Sequence, residues 1–136
     1  MKREVKFRGK CAHSDAWVYG NLIYYDKYET PDISGYNPYM ERGADDDWRS
    51  IPVDSWTIGQ YTGLKDKNGN EIYEGDIVKW AYDGLCYVVA FRRGMFFASA
   101  HELNEDVFGG YPLWMICEAN RLCEIIGNIY DNKITK

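Results

Sequence analysis

The chain has 136 residues, of which 46% are hydrophobic and 16% aromatic, and carries a net charge of −5. That length can bury a core without a metal or a disulfide, and the composition excludes a disordered chain. No run approaches the roughly eighteen apolar residues of a membrane span, and the net acidity weighs against a general affinity for nucleic acid, which rests on phosphate neutralisation.

Twelve Tyr and five Trp stand against five Phe. Residues with an apolar body and a polar tip suit thin cores, sheet surfaces and interfaces, and their strand propensity favours an all-β fold. The cysteines Cys11, Cys86, Cys117 and Cys123 form no C-x-x-C pair, and no apolar h-region follows the basic start. Free thiols in a reducing cytoplasm are therefore expected.

In chain order, "EVKFRGK" (Glu4 to Lys10) alternates Val5 and Phe7 with charged residues, the period of a half-buried strand. The first ten residues hold five bases against Glu4 alone. This is read as a solvated strand before a phosphate-touching arm. "AWVYGNLIYY" (Ala16 to Tyr25) is apolar on both faces and is expected to be covered on each. Residues 26–48 lack periodicity and hold Pro31, Pro38 and the run Asp45-Asp46-Asp47, which predicts a long irregular insert. A short strand around Ile51 and Val53 and a turn or helix start at Asp54-Ser55 follow.

Asn68-Gly69 in "LKDKNGNEIY" predicts a type I′ hairpin turn, with positive φ at both central residues. Glu74-Gly75-Asp76 makes a second reversal, where Gly75 supplies backbone freedom and Asp76 can bond nearby N–H groups. "DIVKWAY" (Asp76 to Tyr82), "LCYVVAF" (Leu85 to Phe91) and "MFFASA" (Met95 to Ala100), joined at Asp83-Gly84 and Arg92-Arg93-Gly94, read as a meander. "YPLWMIC" (Tyr111 to Cys117) is expected to add a strand whose start is an edge because of Pro112. "CEIIGNIY" (Cys123 to Tyr130) gives the last. Short strands with turn signals between them indicate a small barrel or sandwich.

Four segments resemble the YopX-like family of small phage- and prophage-encoded proteins: "VKFRGK", "WVYGNLIYY", "IGQYTGLKDKNGNEIYEGDIVKW" and "EIIGNIYDN". They occur in the family's order and span most of the chain. The resemblance implies a mainly β fold whose C-terminal part is an SH3-like barrel, and it implies no reaction. An N-terminal β element with the irregular insert is expected over residues 1–59 and the SH3-like barrel over 60–136, packed as one compact unit. The insert and the loop from His101 to Gly110 depart from the family pattern.

Candidate chemistry is sparse. Cys11 and His13 are two apart, Cys117 and Cys123 six apart, and neither spacing makes a zinc site. Glu71, Glu74 and Asp76 could hold Mg²⁺ for metal-dependent phosphodiester cleavage, although flanking a hairpin is their simpler role. His13 and His101 lie in loops, and no nucleophile elbow or phosphate-binding loop occurs. Trp80, Tyr82, Arg92 and Arg93 come from adjacent strands and one turn, and would form a base-stacking nucleic-acid site if they cluster. Tyr- and Trp-rich sheet surfaces favour association. The reading is therefore a non-enzymatic, cofactor-free accessory protein of phage or prophage in the cytoplasm of a bacterial host. It would bind a second copy or a host or phage protein and no membrane, with nucleic-acid binding and metal-dependent cleavage as the alternatives.

Overall fold

A computed structural model describes residues 4–23, 31–34, 50–100, 109–117 and 123–131. The chain divides into two units, residues 1–60 and 61–136. It is mainly β, and among the described residues every strand pairing is antiparallel.

In the first unit, β1 (Phe7–Lys10) pairs with β2 (Trp17–Ile23), β2 with β3 (Asp32–Ser34), and β3 with β4 (Ser50–Pro52). β1 also pairs with Gly59 and Gln60, the first residues of β5 (Gly59–Lys65). Val18, Ile33 and Val53 form its buried core, with Phe7, Leu22, Ile51 and Ile58 packed around them. β3 lies inside the stretch expected to be irregular: Ile33, flanked by Asp32 and Ser34, supplies the one inward apolar side chain that a three-residue strand needs. The rest of residues 26–48, except Pro31, lies outside the described residues. The turn expected at Asp54-Ser55 is a 3₁₀ turn at Ser55–Thr57. The Thr57 hydroxyl ties it down, donating to the Asp54 carbonyl and accepting the Lys10 N–H.

The alternation expected for β1 holds only in part: Phe7 packs against the core. Val5 is exposed, whereas Arg8 is buried with its guanidinium 4.6 Å from the centre of the Trp17 ring. Lys10 lies 5.7 Å from the same ring, and Lys6 pairs with Glu4 at 3.0 Å. The described bases of the N-terminal arm are thus engaged within the unit, and a cation held over an aromatic face tolerates burial that a bare one does not.

In the second unit, β5 continues from Tyr61 and pairs with β6 (Glu71–Tyr73). A five-stranded sheet follows, with order β10-β9-β8-β7-β11. Its members are β7 (Asp76–Trp80), β8 (Cys86–Arg92), β9 (Met95–Ser99), β10 (Gly110–Pro112) and β11 (Cys123–Asn128). Val78, Tyr87, Val89 and Ala98 line one face and pack with Ile72, Leu113, Ile116, Cys117 and Cys123 into the core. β10 and β11 are the two edges and do not pair with each other among the described residues. The sheet is open, without the closure a small barrel requires. β10 is too short to close it: Pro112 ends it, and Leu113–Cys117 turns into α1 where a continued strand was expected. The helical turn buries Leu113, Ile116 and Cys117, an i, i+3, i+4 set that a strand could not place on one side.

The hairpin turns also differ from expectation. Asn68 is not among the residues of positive φ; only Gly69 is, at 82°. Gly69 donates to the Asp66 carbonyl and Asp66 to the Asn70 carbonyl. This is the pattern of a type I turn closed by a left-handed glycine, not of type I′. The type I′ geometry falls instead at Arg93-Gly94, where φ is 54° and 76° between the paired residues Arg92 and Met95.

Candidate functional site

The β7–β8 turn is built by its own polar atoms. Trp80 N–H donates to the Leu85 carbonyl, Gly84 N–H donates to that of Trp80, and Asp83 Oδ1 accepts the Leu85 N–H at 2.9 Å. Asp83 Oδ2 accepts the Tyr87 hydroxyl proton. Burial, and then the hydrogen bond to and negative charge of Asp83, hold the Tyr87 phenol above its ordinary pKa.

Trp80 sits on the core face two residues beyond Val78, and its register partner is Cys123. Tyr87 shares that face because it pairs with Val78, and Tyr111 shares it because it pairs with Ala98, itself paired with Val89. The rings meet at the rim of the core. Trp80 lies 5.1 Å from Tyr82 with the planes at 34°, and 5.2 Å from Tyr111 at 66°. Tyr87 lies 6.4 Å from Trp80 and 6.0 Å from Tyr111. Tyr87 is buried, whereas Tyr82 is 80% and Tyr111 38% exposed. The core therefore surfaces here as an aromatic platform.

Of the four residues expected to cluster, the structure brings Trp80 and Tyr82 together and leaves Arg92 and Arg93 apart. The arginines lie at the opposite end of β8, on the order of 20 Å away by strand rise. The reason is register: Lys79 pairs with Cys86, so β8 runs away from Trp80 before it reaches Arg92. Tyr111 is the missing member of the platform; only its place in a strand was legible, not its pairing with Ala98.

The acidic cluster is occupied with architecture. Asp76 is buried, and its Oδ2 accepts the Tyr73 N–H at 2.8 Å; Glu71 Oε1 lies 3.5 Å from the Tyr73 hydroxyl. Among the described residues no group of three or more His, Cys, Asp or Glu is placed to hold a metal ion. Cys11 bridges Val53, and His13 is exposed in a turn; His101 lies outside the described residues. None of the four cysteines is in a disulfide, and Cys117 and Cys123 are buried. A hydrogen bond from Cys117 lowers the Cys123 thiol pKa against burial and the Asp66 charge, which raise it. No helix among the described residues is long and apolar enough to cross a membrane.

Sequence reasoning missed Asp66. The residue is 2% exposed; its Oδ1 accepts the N–H groups of Asn68 and Asn70, each at 2.9 Å, and its Oδ2 accepts that of Ile125 at 3.0 Å.

The family model described as YopX protein matches residues 6–133. The crystal structure of protein EF1440 from Enterococcus faecalis is similar over 96% of both chains, with a TM-score of 0.56 and 23% sequence identity, a likeness of fold. Among curated proteins none matches significantly.

Proposed function

This chain belongs to the YopX family, and from that premise we propose that it acts by non-catalytic binding and self-association through the Trp80–Tyr82–Tyr111 platform. Its setting in this reading is that of a phage or prophage accessory factor in the cytoplasm of a bacterial host. The observation that carries the proposal is Tyr82, stacked on Trp80 and 80% exposed. A large ring kept in water beside a half-buried one has the chemistry of an interface anchor, since Tyr and Trp dominate binding energy where a partner covers them.

The acids support binding over catalysis. Asp66, Asp76 and Asp83 each accept backbone N–H groups, which suits turn-building carboxylates better than proton shuttles. The charged side chain built into the platform's turn is Asp83, and the arginine pair lies far along β8. A protein surface is accordingly the better-matched partner for this face, and a second copy is the simplest one.

Light scattering and sedimentation from low to high micromolar concentration test the proposal. The expected result is concentration-dependent association that weakens at least tenfold in Tyr82→Ala, with an unchanged melting temperature because the ring is largely in solvent. A strict monomer at high micromolar concentration, or equal association of the variant, would reject it.

A further inference from the structure

We propose that the apex of the β8–β9 hairpin is a contact site for single-stranded nucleic acid, with Arg92 and Arg93 meeting phosphates and Phe91 meeting a base. The site is separate from the aromatic platform, at the other end of β8, and its test is independent of self-association.

Charge distribution is the first observation. From Leu85 to Ala100 the chain holds no acid and only two charges, Arg92 and Arg93, although the protein has 21 Asp and Glu. The hairpin thus carries no acid of its own, and its two guanidiniums are exposed at its tip, where a polyanion can approach them.

The second observation is the backbone of Arg93, the only non-glycine residue of positive φ among those described, at 54°. Asn or Gly adopts this first central position of a type I′ turn at lower cost. A guanidinium carried at the apex on an unfavourable backbone is the mark of a side chain kept for what it contacts.

The third is the apolar company of the arginines. Phe91 is 54% and Met95 42% exposed, and Phe91 packs T-shaped against its register partner Phe96 at 5.2 Å. Phe96 fixes the attitude of a ring that stays more than half open, as base stacking requires. The order of residues decides between polyanions. The arginines lead and the apolar side chains follow, so entry into a bilayer would carry the guanidiniums deepest, where charge is costly. A nucleic-acid strand passing over the apex meets the guanidiniums with its phosphates, and its unpaired base then reaches Phe91.

The test is fluorescence anisotropy of a short labelled oligothymidylate, beside its duplex with oligoadenylate and vesicles rich in phosphatidylserine. Single strands should bind at low salt, and log K should fall against log salt with a slope of about −1.4 for two phosphates. Arg92→Ala with Arg93→Asn should weaken binding at least about tenfold, and Phe91→Ala roughly fivefold or more, while Tyr82→Ala leaves it unchanged. Asn accepts the left-handed backbone, so the double variant keeps the turn, which its melting temperature verifies. No binding at low salt, equal binding by folded variants, equal affinity for duplex, or binding to vesicles alone would each overturn the proposal.

Discussion

Asp66 Oδ2 accepts the backbone N–H of Ile125 at 3.0 Å, across 59 residues of sequence. The same carboxylate holds Asn68 and Asn70 through Oδ1, and Lys67 N–H donates to the Cys123 carbonyl. The β5–β6 turn and the outer edge of β11 are therefore joined by one side chain and its neighbour's amide. An edge strand that would otherwise offer unpaired backbone to another chain is partly covered within the molecule.

Replacing Asp66 by Ala strands three donors and should cost roughly 3 kcal/mol in urea unfolding, with Asp66→Asn intermediate. Burial alone would raise the Asp66 pKa, but the hydrogen bonds from Ile125, Asn70 and Asn68 outweigh it and hold the carboxyl below its ordinary value. Its stabilisation is then fully present above the unfolded carboxylate pKa of about 3.9 and disappears as pH falls through the lower folded value. Unfolding free energies measured from neutral to strongly acidic pH should decline over that window in the wild type and less steeply in Asp66→Asn.

Gly75 and Gly69 share positive φ, at 90° and 82°, yet their surroundings differ. A Cβ on Gly75 would lie 2.6 Å from Tyr130 Cε2, whereas on Gly69 it meets nothing within 4 Å. Gly69→Ala should cost about 1 kcal/mol through backbone strain alone. Gly75→Ala adds displacement of the tyrosine ring and should cost roughly 2–4 kcal/mol. Denaturant midpoints of the two variants, measured side by side, separate strain from steric overlap.

Tyr87 keeps its proton in the folded state to higher pH than a free tyrosine, for the causes given above. With the folded pKa raised, its contribution is complete below the unfolded value of about 10 and is lost as pH climbs beyond it. In a spectrophotometric titration at 295 nm, one phenol should stay silent until the protein unfolds, and Tyr87→Phe should remove that late step. The same substitution should cost about 1–2 kcal/mol, since Asp83 Oδ2 loses its donor.

The meander was legible because strand alternation and Gly-containing turns agree from Asp76 to Ala100: β7 and β9 fall within the expected segments, and β8 runs one residue past its own, to Arg92. Leu113–Cys117 was not, because a short apolar run carries no period that separates strand from helical turn. Asn68-Gly69 misled in turn type: the Asp66 carboxylate bonds the Asn68 and Asn70 amides and favours a type I turn. Trp80 and Tyr82 were readable as neighbours in sequence. Tyr111 was not readable as their companion, nor Arg92 as their distant opposite, because both follow from strand register, which no local pattern states.

β11 joins the five-stranded sheet beside β7, not beside β10, its predecessor in sequence. During synthesis the three-stranded meander is made first and must wait, with one flank of β7 bare, until Cys123–Asn128 has emerged. A nascent chain halted before that point would carry an incomplete sheet with a sticky margin.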